Sequence, residues 1–110
     1  MEVEYTEAFQ RQLRRLSRRY RHIRDDLEPV IAQLQAGEIL GDAIPNVGVT
    51  LFKVRIPNRD SQRGKRGGYR IIYYLKTDEH LILVTIYSKS DQGDVSPEQI
   101  RAILDQHRSR

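Results

Sequence analysis

The sequence contains no cysteine in its 110 residues, which excludes a disulfide scaffold and a metal site built from thiolates. It also lacks a long hydrophobic run, because its longest apolar stretches, residues 71–75 and 81–87, are far too short to cross a bilayer. The opening residues MEVEYTEAF carry acids where a secretory signal would carry bases and then an apolar segment. We therefore expect a cytoplasmic protein that folds as a single domain over residues 1–110.

Signatures of three common kinds of active site are also missing. The sequence has no Ser-His-Asp arrangement, no glycine-rich nucleotide loop and no HExxH motif. The histidines are scattered along the chain, and we expect surface roles for His22, His80 and His107. The acids near the predicted sheet have a spacing that suits loop capping better than metal binding: Asp60, Asp91 and Asp94. We therefore expect no metal and no small-molecule cofactor, so that any chemistry would rest on lysine, arginine and tyrosine.

The charge that is present is mostly arginine. The formal net charge is +4, and 15 of the 19 basic residues are arginine, whose planar guanidinium binds phosphate or carboxylate through two parallel hydrogen bonds. Residues 53–70 contain seven bases and a single acid, Asp60. A second cluster of seven arginines lies between residues 11 and 24. This distribution indicates an anionic partner.

Periodicity and turn signals predict an α+β fold with the element order β-α-α-β-β-β-α and helices packed on one face of a mostly antiparallel sheet. Residues 1–5 alternate as a strand, and Thr6 can cap a helix with an apolar stripe over residues 9–20. A second stripe over residues 23–34 predicts another helix. That helix should begin near residue 25 or 26, because Pro29 is tolerated only in a first turn.

The second half of the chain has the texture of a strand meander. Residues 41–49 are predicted as irregular chain that leads into a strand over residues 50–56. Two further strands are predicted over residues 69–76 and 81–89, separated by a tight turn. A last helix should begin at Ser96, which is followed by proline and, three residues on, by the glutamine of a capping box.

Strand alternation places basic side chains on one face of the predicted sheet. One face of the first two meander strands is apolar and suits the core: Phe52, Val54, Ile56, Tyr69, Ile71, Tyr73 and Leu75. Lys53, Arg55 and Arg70 point the other way and converge if the strands pair as an antiparallel hairpin. Tyr87 and Lys89 are two residues apart and therefore point to the same face of the last strand. Because both faces of that strand are apolar, the sequence does not decide which face this is.

Two interpretations of these cations remain. Solvated charges on the exposed side of a half-covered antiparallel sheet are common. Three cations on one face repel one another, however, unless an anion sits among them. The excess of seven bases over one acid across residues 53–70 favours an anion site.

The segments LFKVRIP, RGKRGGYRIIYYL and LILVTIYSKSDQGDVSPEQI together resemble the RelE/ParE superfamily of toxins from type II toxin–antitoxin pairs. They are most similar to the HigB-like and RelE-like ribonuclease branch. The resemblance implies an mRNA interferase that enters the ribosomal A site and cuts mRNA without a metal. In the reaction that the resemblance implies, the ribose 2′-hydroxyl attacks the neighbouring phosphate and leaves a cyclic phosphate and a free 5′-hydroxyl.

The resemblance also implies roles for individual residues. Lys53 would be the candidate base or charge stabiliser, and Arg55 and Arg70 would hold the transition-state phosphate. Tyr87 and Lys89 would lie at the rim of the site, where Tyr87 orients the nucleotide or transfers a proton. The remaining predicted RNA contacts are a loop that guides RNA into the site and a tyrosine able to stack on a base: Arg63, Lys65, Arg66 and Tyr74.

The sequence departs from this pattern at the end of the last strand. RelE-type toxins have an arginine just after the last-strand lysine and a tyrosine about seven residues beyond that lysine, where this sequence has Ser90 and Ser96. The acid that protonates the leaving group is therefore unassigned, with Tyr87, Tyr74 and Lys89 as substitutes.

Three function classes follow from these observations. The first is the ribosome-dependent mRNA endonuclease, the second a ParE-like inhibitor of DNA gyrase, and the third a non-catalytic module that binds RNA or an acidic protein. Either toxin would have a cognate antitoxin as partner, usually a small protein with an acidic toxin-binding segment and a helix-turn-helix DNA-binding domain.

Overall fold

A computed structural model describes residues 1–45, 48–60 and 67–109. Within these ranges the helices are α1 (Glu7–Arg19), α2 (Ile23–Gln35) and α3 (Pro97–Arg108). The strands of the same ranges are β1 (Glu2–Tyr5), β2 (Asp42–Ile44), β3 (Leu51–Ile56), β4 (Tyr69–Thr77) and β5 (His80–Ser88). None of the helices in these ranges combines the length and the apolar character needed to cross a bilayer.

The described strands form one sheet in the order β1-β5-β4-β3-β2. The neighbouring pairs are antiparallel except β1 and β5, which are parallel and are connected through α1, α2 and the other three strands. The α+β class and the mostly antiparallel sheet are as predicted. The expected order gains one strand, β2, in the segment predicted as irregular. A strand of three residues is too short to show an alternation that sequence reasoning could detect.

The prediction that all helices pack on one face of the sheet is wrong for α3. Helices α1 and α2 pack with Val54, Ile71 and Ile86 in the larger core cluster. Helix α3 lies on the opposite face, where Ile100 and Leu104 are buried in a second cluster that includes Leu51, Ile72, Val84 and Tyr87. The physical reason is that β4 and β5 are apolar on both faces, so a second layer is needed to remove the other face from water.

The helix starts follow their capping signals. Thr6 Oγ1 accepts a hydrogen bond from the Phe9 amide at the start of α1, and Ser96 and Gln99 form a reciprocal capping box at the start of α3. The predicted start of α2 is wrong, because the helix begins at Ile23 and Pro29 lies inside it. Pro29 has no amide hydrogen to donate to the preceding turn, and burial of Ile23, Leu27 and Leu34 holds the helix around it.

A β-bulge in β5 decides which face the end of that strand presents. Ile72 of β4 pairs with Thr85, whereas the next residue, Tyr73, pairs with Leu83, so that Val84 is an extra residue in β5. Before the bulge Leu83 faces α1 and α2, and after it Ile86 does. The bulge therefore turns Tyr87 towards the α3 side of the sheet. Alternation alone does not decide which face of the sheet Tyr87 lies on, and the extra residue Val84 decides it.

Truncation of the α3 core should separate a buried contact from an exposed one. Leu104 is 3% exposed, so we expect Leu104→Ala to lower the free energy of unfolding by about 2–5 kcal/mol. Ile39, an isomeric side chain that is 60% exposed, provides the control, and Ile39→Ala should stay within about 0.5 kcal/mol of the parent. Urea denaturation measures both, and equal effects would contradict the buried position of α3.

Candidate active site

The predicted basic face forms as a row across three strands. Arg55 of β3 lies directly opposite Arg70 of β4, and Arg70 lies directly opposite Tyr87 of β5. Lys53 is two residues from Arg55 and therefore points to the same side. The pairing of β3 with β4 confirms the antiparallel hairpin on which the convergence of these cations depends.

Arg70 is buried in this row. The residue is only 6% exposed, and its Nη1 donates a hydrogen bond of 3.1 Å to the carbonyl oxygen of the preceding Tyr69. Among the residues that the structure describes, no carboxylate forms an ion pair with Arg70. A buried cation without a counter-charge is costly, because its hydration is lost and no Coulomb attraction replaces it. The guanidinium is therefore a buried cation that no described carboxylate neutralises.

Tyr87 is the next member of the row and is 3% exposed. Its hydroxyl donates to Asp94 Oδ1 over 3.3 Å. Burial is the main reason why the pKa of the phenol is raised to about 12, and the nearby Asp94 carboxylate adds to the rise while Arg70 opposes it. Tyr87 is therefore neutral at physiological pH and donates a hydrogen bond to Asp94.

Asp94 is the acid around which the site is arranged. Lys53 Nζ and Lys89 Nζ each lie 3.4 Å from the same oxygen, Oδ1, that accepts from Tyr87. The positive charge of Lys53, together with hydrogen bonds from Lys53 and Lys89, holds the pKa of Asp94 below its ordinary value. The carboxylate is ionised at neutral pH and occupies the point where Lys53 and Lys89 converge.

Sequence reasoning missed this role. Asp94 was expected to cap a loop, and it lies in the loop between β5 and α3 as expected, but its side chain reaches into the site. Loops have no periodicity that predicts the direction of a side chain. The only available signal was the spacing of five residues from Lys89, which alone does not indicate a contact.

Gly68 explains how the strand ends approach closely enough to build the site. A Cβ atom at this position would lie 2.1 Å from the carbonyl oxygen of Ile56, a contact that no other residue type can make. The carbonyl oxygen of Gly68 also accepts a hydrogen bond of 2.9 Å from the Lys89 amide. The glycine thus joins the end of β3 to the end of β5 and fixes the backbone of Lys89 at the rim.

The other predicted site residues are placed differently. Arg55 is exposed at the edge of the row. Tyr74 is on the same face as Arg70, but it lies four residues along β4, roughly 13 Å away at strand spacing. Its ring lies 6.0 Å from the guanidinium of Arg108 and packs in the α3 cluster, so it is not brought to the row. The predicted RNA-guiding residues Arg63, Lys65 and Arg66 lie outside the described residues.

The histidines make tertiary contacts away from the row. His22 contacts Asp60 through its backbone amide and its Nδ1 atom. His80 and His107 both contact the carboxylate of Glu4, which joins β1 to β5 and to the end of α3. These contacts place the three histidines apart from the basic face.

The fold and the site define a small basic α+β protein in which Lys53, Lys89 and Tyr87 converge on Asp94. The chain matches the family model described as the RelE toxin of the RelE/RelB toxin–antitoxin system over residues 6–107. It therefore belongs to the RelE toxin family, as its strand motifs predict. Membership makes it a toxin of a toxin–antitoxin system and implies a cognate antitoxin as its partner.

Removal of the Asp94 charge should strengthen anion binding. Exposed ion pairs contribute about 0.2–1 kcal/mol each, so loss of the competing pairs with Lys53 and Lys89 predicts a rise of roughly 2- to 30-fold in affinity for sulfate in Asp94→Asn. The measurement is a sulfate titration followed through the amide resonances of Lys53 and Lys89.

The control for this experiment is Asp78→Asn, which removes an equal charge from the exposed turn at the other end of the β4–β5 hairpin. We expect no change of sulfate affinity in this variant. A fall of affinity in Asp94→Asn would mean that the carboxylate organises the cations, and would contradict its placement at their anion position.

Proposed function

We propose that this protein is an endoribonuclease that cuts mRNA in the ribosomal A site and so inhibits translation. The observation that carries the proposal is the convergence of Lys53, Lys89 and Tyr87 on a single carboxylate oxygen beside the buried Arg70. A phosphate oxygen has the charge and the acceptor capacity to replace that carboxylate oxygen. Membership of the RelE family makes the protein a toxin, and the arrangement of the site supports RNA cleavage as its toxic activity.

The proposed reaction is an internal phosphoryl transfer. The ribose 2′-oxygen forms a bond to the adjacent phosphorus while the bond from phosphorus to the 5′-oxygen breaks. The proton of the 2′-hydroxyl passes to a base, the 5′-oxygen receives a proton from an acid, and Lys53 is the candidate for the base or for a stabiliser of the developing charge. The products are a 2′,3′-cyclic phosphate and a free 5′-hydroxyl, so that no oxidant, reductant or added nucleophile is needed.

Arg70 and Arg55 would stabilise the additional negative charge on the phosphate oxygens in the transition state. Electrostatic stabilisation by groups held in place beforehand is commonly the largest contribution to catalysis. Arg70 suits this role because its position is fixed by burial and by its hydrogen bond to the Tyr69 carbonyl oxygen. Arg55 is exposed and would contact the phosphate from the solvent side.

Tyr87 is our candidate for the acid that protonates the leaving 5′-oxygen. A tyrosine that RelE-type toxins carry further along the chain is replaced here by Ser96, which is occupied as the cap of α3. The raised pKa of Tyr87, about 12, keeps the phenol protonated until the alkoxide forms. Lys89, on the other side of the same anion position, would neutralise the charge of the phosphate or donate the proton in its place.

The partners of this activity would be mRNA, the A site of the ribosome and an antitoxin. We propose that the antitoxin is a small helix-turn-helix DNA-binding protein with an acidic segment that covers the basic face. Such a segment would place carboxylates where Asp94 now places one, and would exclude the substrate phosphate.

The test compares substitutions in the site with matched substitutions outside it. Lys53→Met and Tyr87→Phe each remove one proton-transfer group, and we expect cleavage rates on translated mRNA to fall by about 10²–10⁴-fold. Arg70→Lys keeps the charge but loses the two-pronged donor, and we expect a fall of about 10²–10³-fold. Lys76→Met and Tyr5→Phe, at exposed positions of the chain, should keep parental rates.

The readouts are growth arrest on expression and mapping of RNA ends for cyclic phosphate and 5′-hydroxyl groups. Growth arrest with intact mRNA and an induced SOS response would favour inhibition of gyrase instead. Tight RNA binding without a cyclic-phosphate product would favour a non-catalytic module. Retention of toxicity in all three site variants would show that the proposed site is wrong.

A further inference from the structure

Helix α1 carries a band of arginines that the proposed reaction does not use. Its five arginines are all exposed, and they recur at spacings of three and four residues: Arg11, Arg14, Arg15, Arg18 and Arg19. Like charges at these spacings on a helix repel one another and destabilise it. Within the described ranges, no carboxylate forms an ion pair with Arg14, Arg15 or Arg18. The band therefore costs stability, which an anionic partner would restore.

One side of this band forms a cleft with the end of β5, which we name the α1 cleft. Its walls come from α1 on one side and from the end of β5 with the following loop on the other: Gln12, Arg15, Leu16, Arg19, Tyr87, Ser88, Asp91 and Gln92. The pairing of β1 with β5 ends at Leu83, so β1 leaves the last residues of β5 free to line the cleft. Tyr87 borders this cleft at the end of β5, while its side chain faces the α3 side of the sheet, where the candidate active site lies.

A carboxylate already lies on the cations of the α1 cleft. Asp91 Oδ1 is 2.5 Å from Arg19 Nη1, in an ion pair whose side chains are 31% and 63% exposed respectively. The loop between β5 and α3 thus places one acid on each cation group, Asp91 on the α1 cleft and Asp94 on the candidate active site.

Ser88 supplies a second and independent sign of a ligand. The residue is 1% exposed, lines the α1 cleft, and its hydroxyl has no hydrogen-bond partner among the described residues. Buried hydroxyls are normally paired, so the Ser88 hydroxyl, which lies beneath the surface of the cleft wall, is a polar group whose partner the described residues do not supply.

We propose that the α1 cleft is a second phosphate subsite, which holds a phosphodiester of the RNA strand next to the one that reacts. The inference rests on the proposed function for the identity of that strand. Asp91 and Asp94 are three residues apart, so their Cα atoms are at most roughly 11 Å apart, a distance that one or two nucleotides can bridge. A single strand could thus replace both carboxylates as it passes the end of β5.

An RNA strand fits this pair of subsites better than other anions do. The two cation groups are distinct and are linked by the short loop that carries Asp91 and Asp94, which suits a chain with regularly spaced phosphates. Arginine, which is the only cation of the α1 band, is suited to the two-oxygen geometry of a phosphodiester.

The test uses two double variants of the same helix. Arg15→Gln with Arg19→Gln removes the cations of the α1 cleft, and Arg14→Gln with Arg18→Gln removes an equal charge at the same spacing from outside the cleft. The probes are 2′-O-methyl RNA oligonucleotides, which lack the attacking hydroxyl, from a dinucleotide to a hexanucleotide. Fluorescence anisotropy at several salt concentrations gives the affinities.

We expect the affinity of the parent to rise as the oligonucleotide is lengthened. The Arg15/Arg19 variant should lose that gain, and the salt dependence of its binding should fall by about 0.7 in logarithmic slope for each phosphate that it no longer neutralises. The Arg14/Arg18 variant should keep both the gain and the slope of the parent.

An equal loss of RNA affinity in the two double variants would mean that the α1 arginines attract RNA only through their overall charge, and would overturn the proposal. So would parental behaviour of the Arg15/Arg19 variant, or the absence of oligonucleotide binding by the parent. If the Arg15/Arg19 variant lost affinity for poly-glutamate but not for RNA, the cleft would be assigned to an acidic protein, and the proposal would also be overturned. Binding does not depend on cleavage, so a parent that binds with the expected length dependence but never cuts mRNA would refute the nuclease and leave the subsite standing.

Discussion

The register of β4 between β3 and β5 is the constraint on which the site depends. It places Arg70 directly between Arg55 and Tyr87, and it buries the guanidinium where no described carboxylate neutralises it. Lys53 and Lys89 add two further positive charges to the site. Asp94 supplies the carboxylate with which both lysines form ion pairs. A sheet slipped by one residue would turn the whole row to the opposite face.

Much of this arrangement could be predicted from short-range patterns. Alternation over residues 51–56 and 69–75 assigns Lys53, Arg55 and Arg70 to one face, since each inward position there is apolar. Thr6 and Ser96 mark the starts of α1 and α3 because capping requires a side-chain oxygen at those positions. These are local rules, and the structure follows them wherever packing does not compete.

What could not be predicted depends on contacts between distant parts of the chain. The extra residue Val84 reverses the parity of β5, and no local signal distinguishes a bulge in a strand that is apolar on both faces. The same ambiguity concealed the position of α3, whose Ile100 and Leu104 cover the second apolar face. The start of α2 was misplaced because packing of that helix outweighs the hydrogen bond that Pro29 cannot make. Asp94 was missed because a loop has no period.

In this toxin the loop between β5 and α3 pairs its carboxylates, Asp91 and Asp94, with nearby cations. We expect a phosphate to displace these carboxylates. The most direct test follows the Arg70 side chain itself, through the ¹⁵N resonance of its guanidinium during titration with a non-cleavable 2′-O-methyl dinucleotide. We expect a saturable shift of Arg70 that coincides with shifts at Lys53, Tyr87 and Asp94. Shifts confined to exposed arginines such as Arg24, with Arg70 unchanged at saturation, would contradict a phosphate site built around the buried guanidinium.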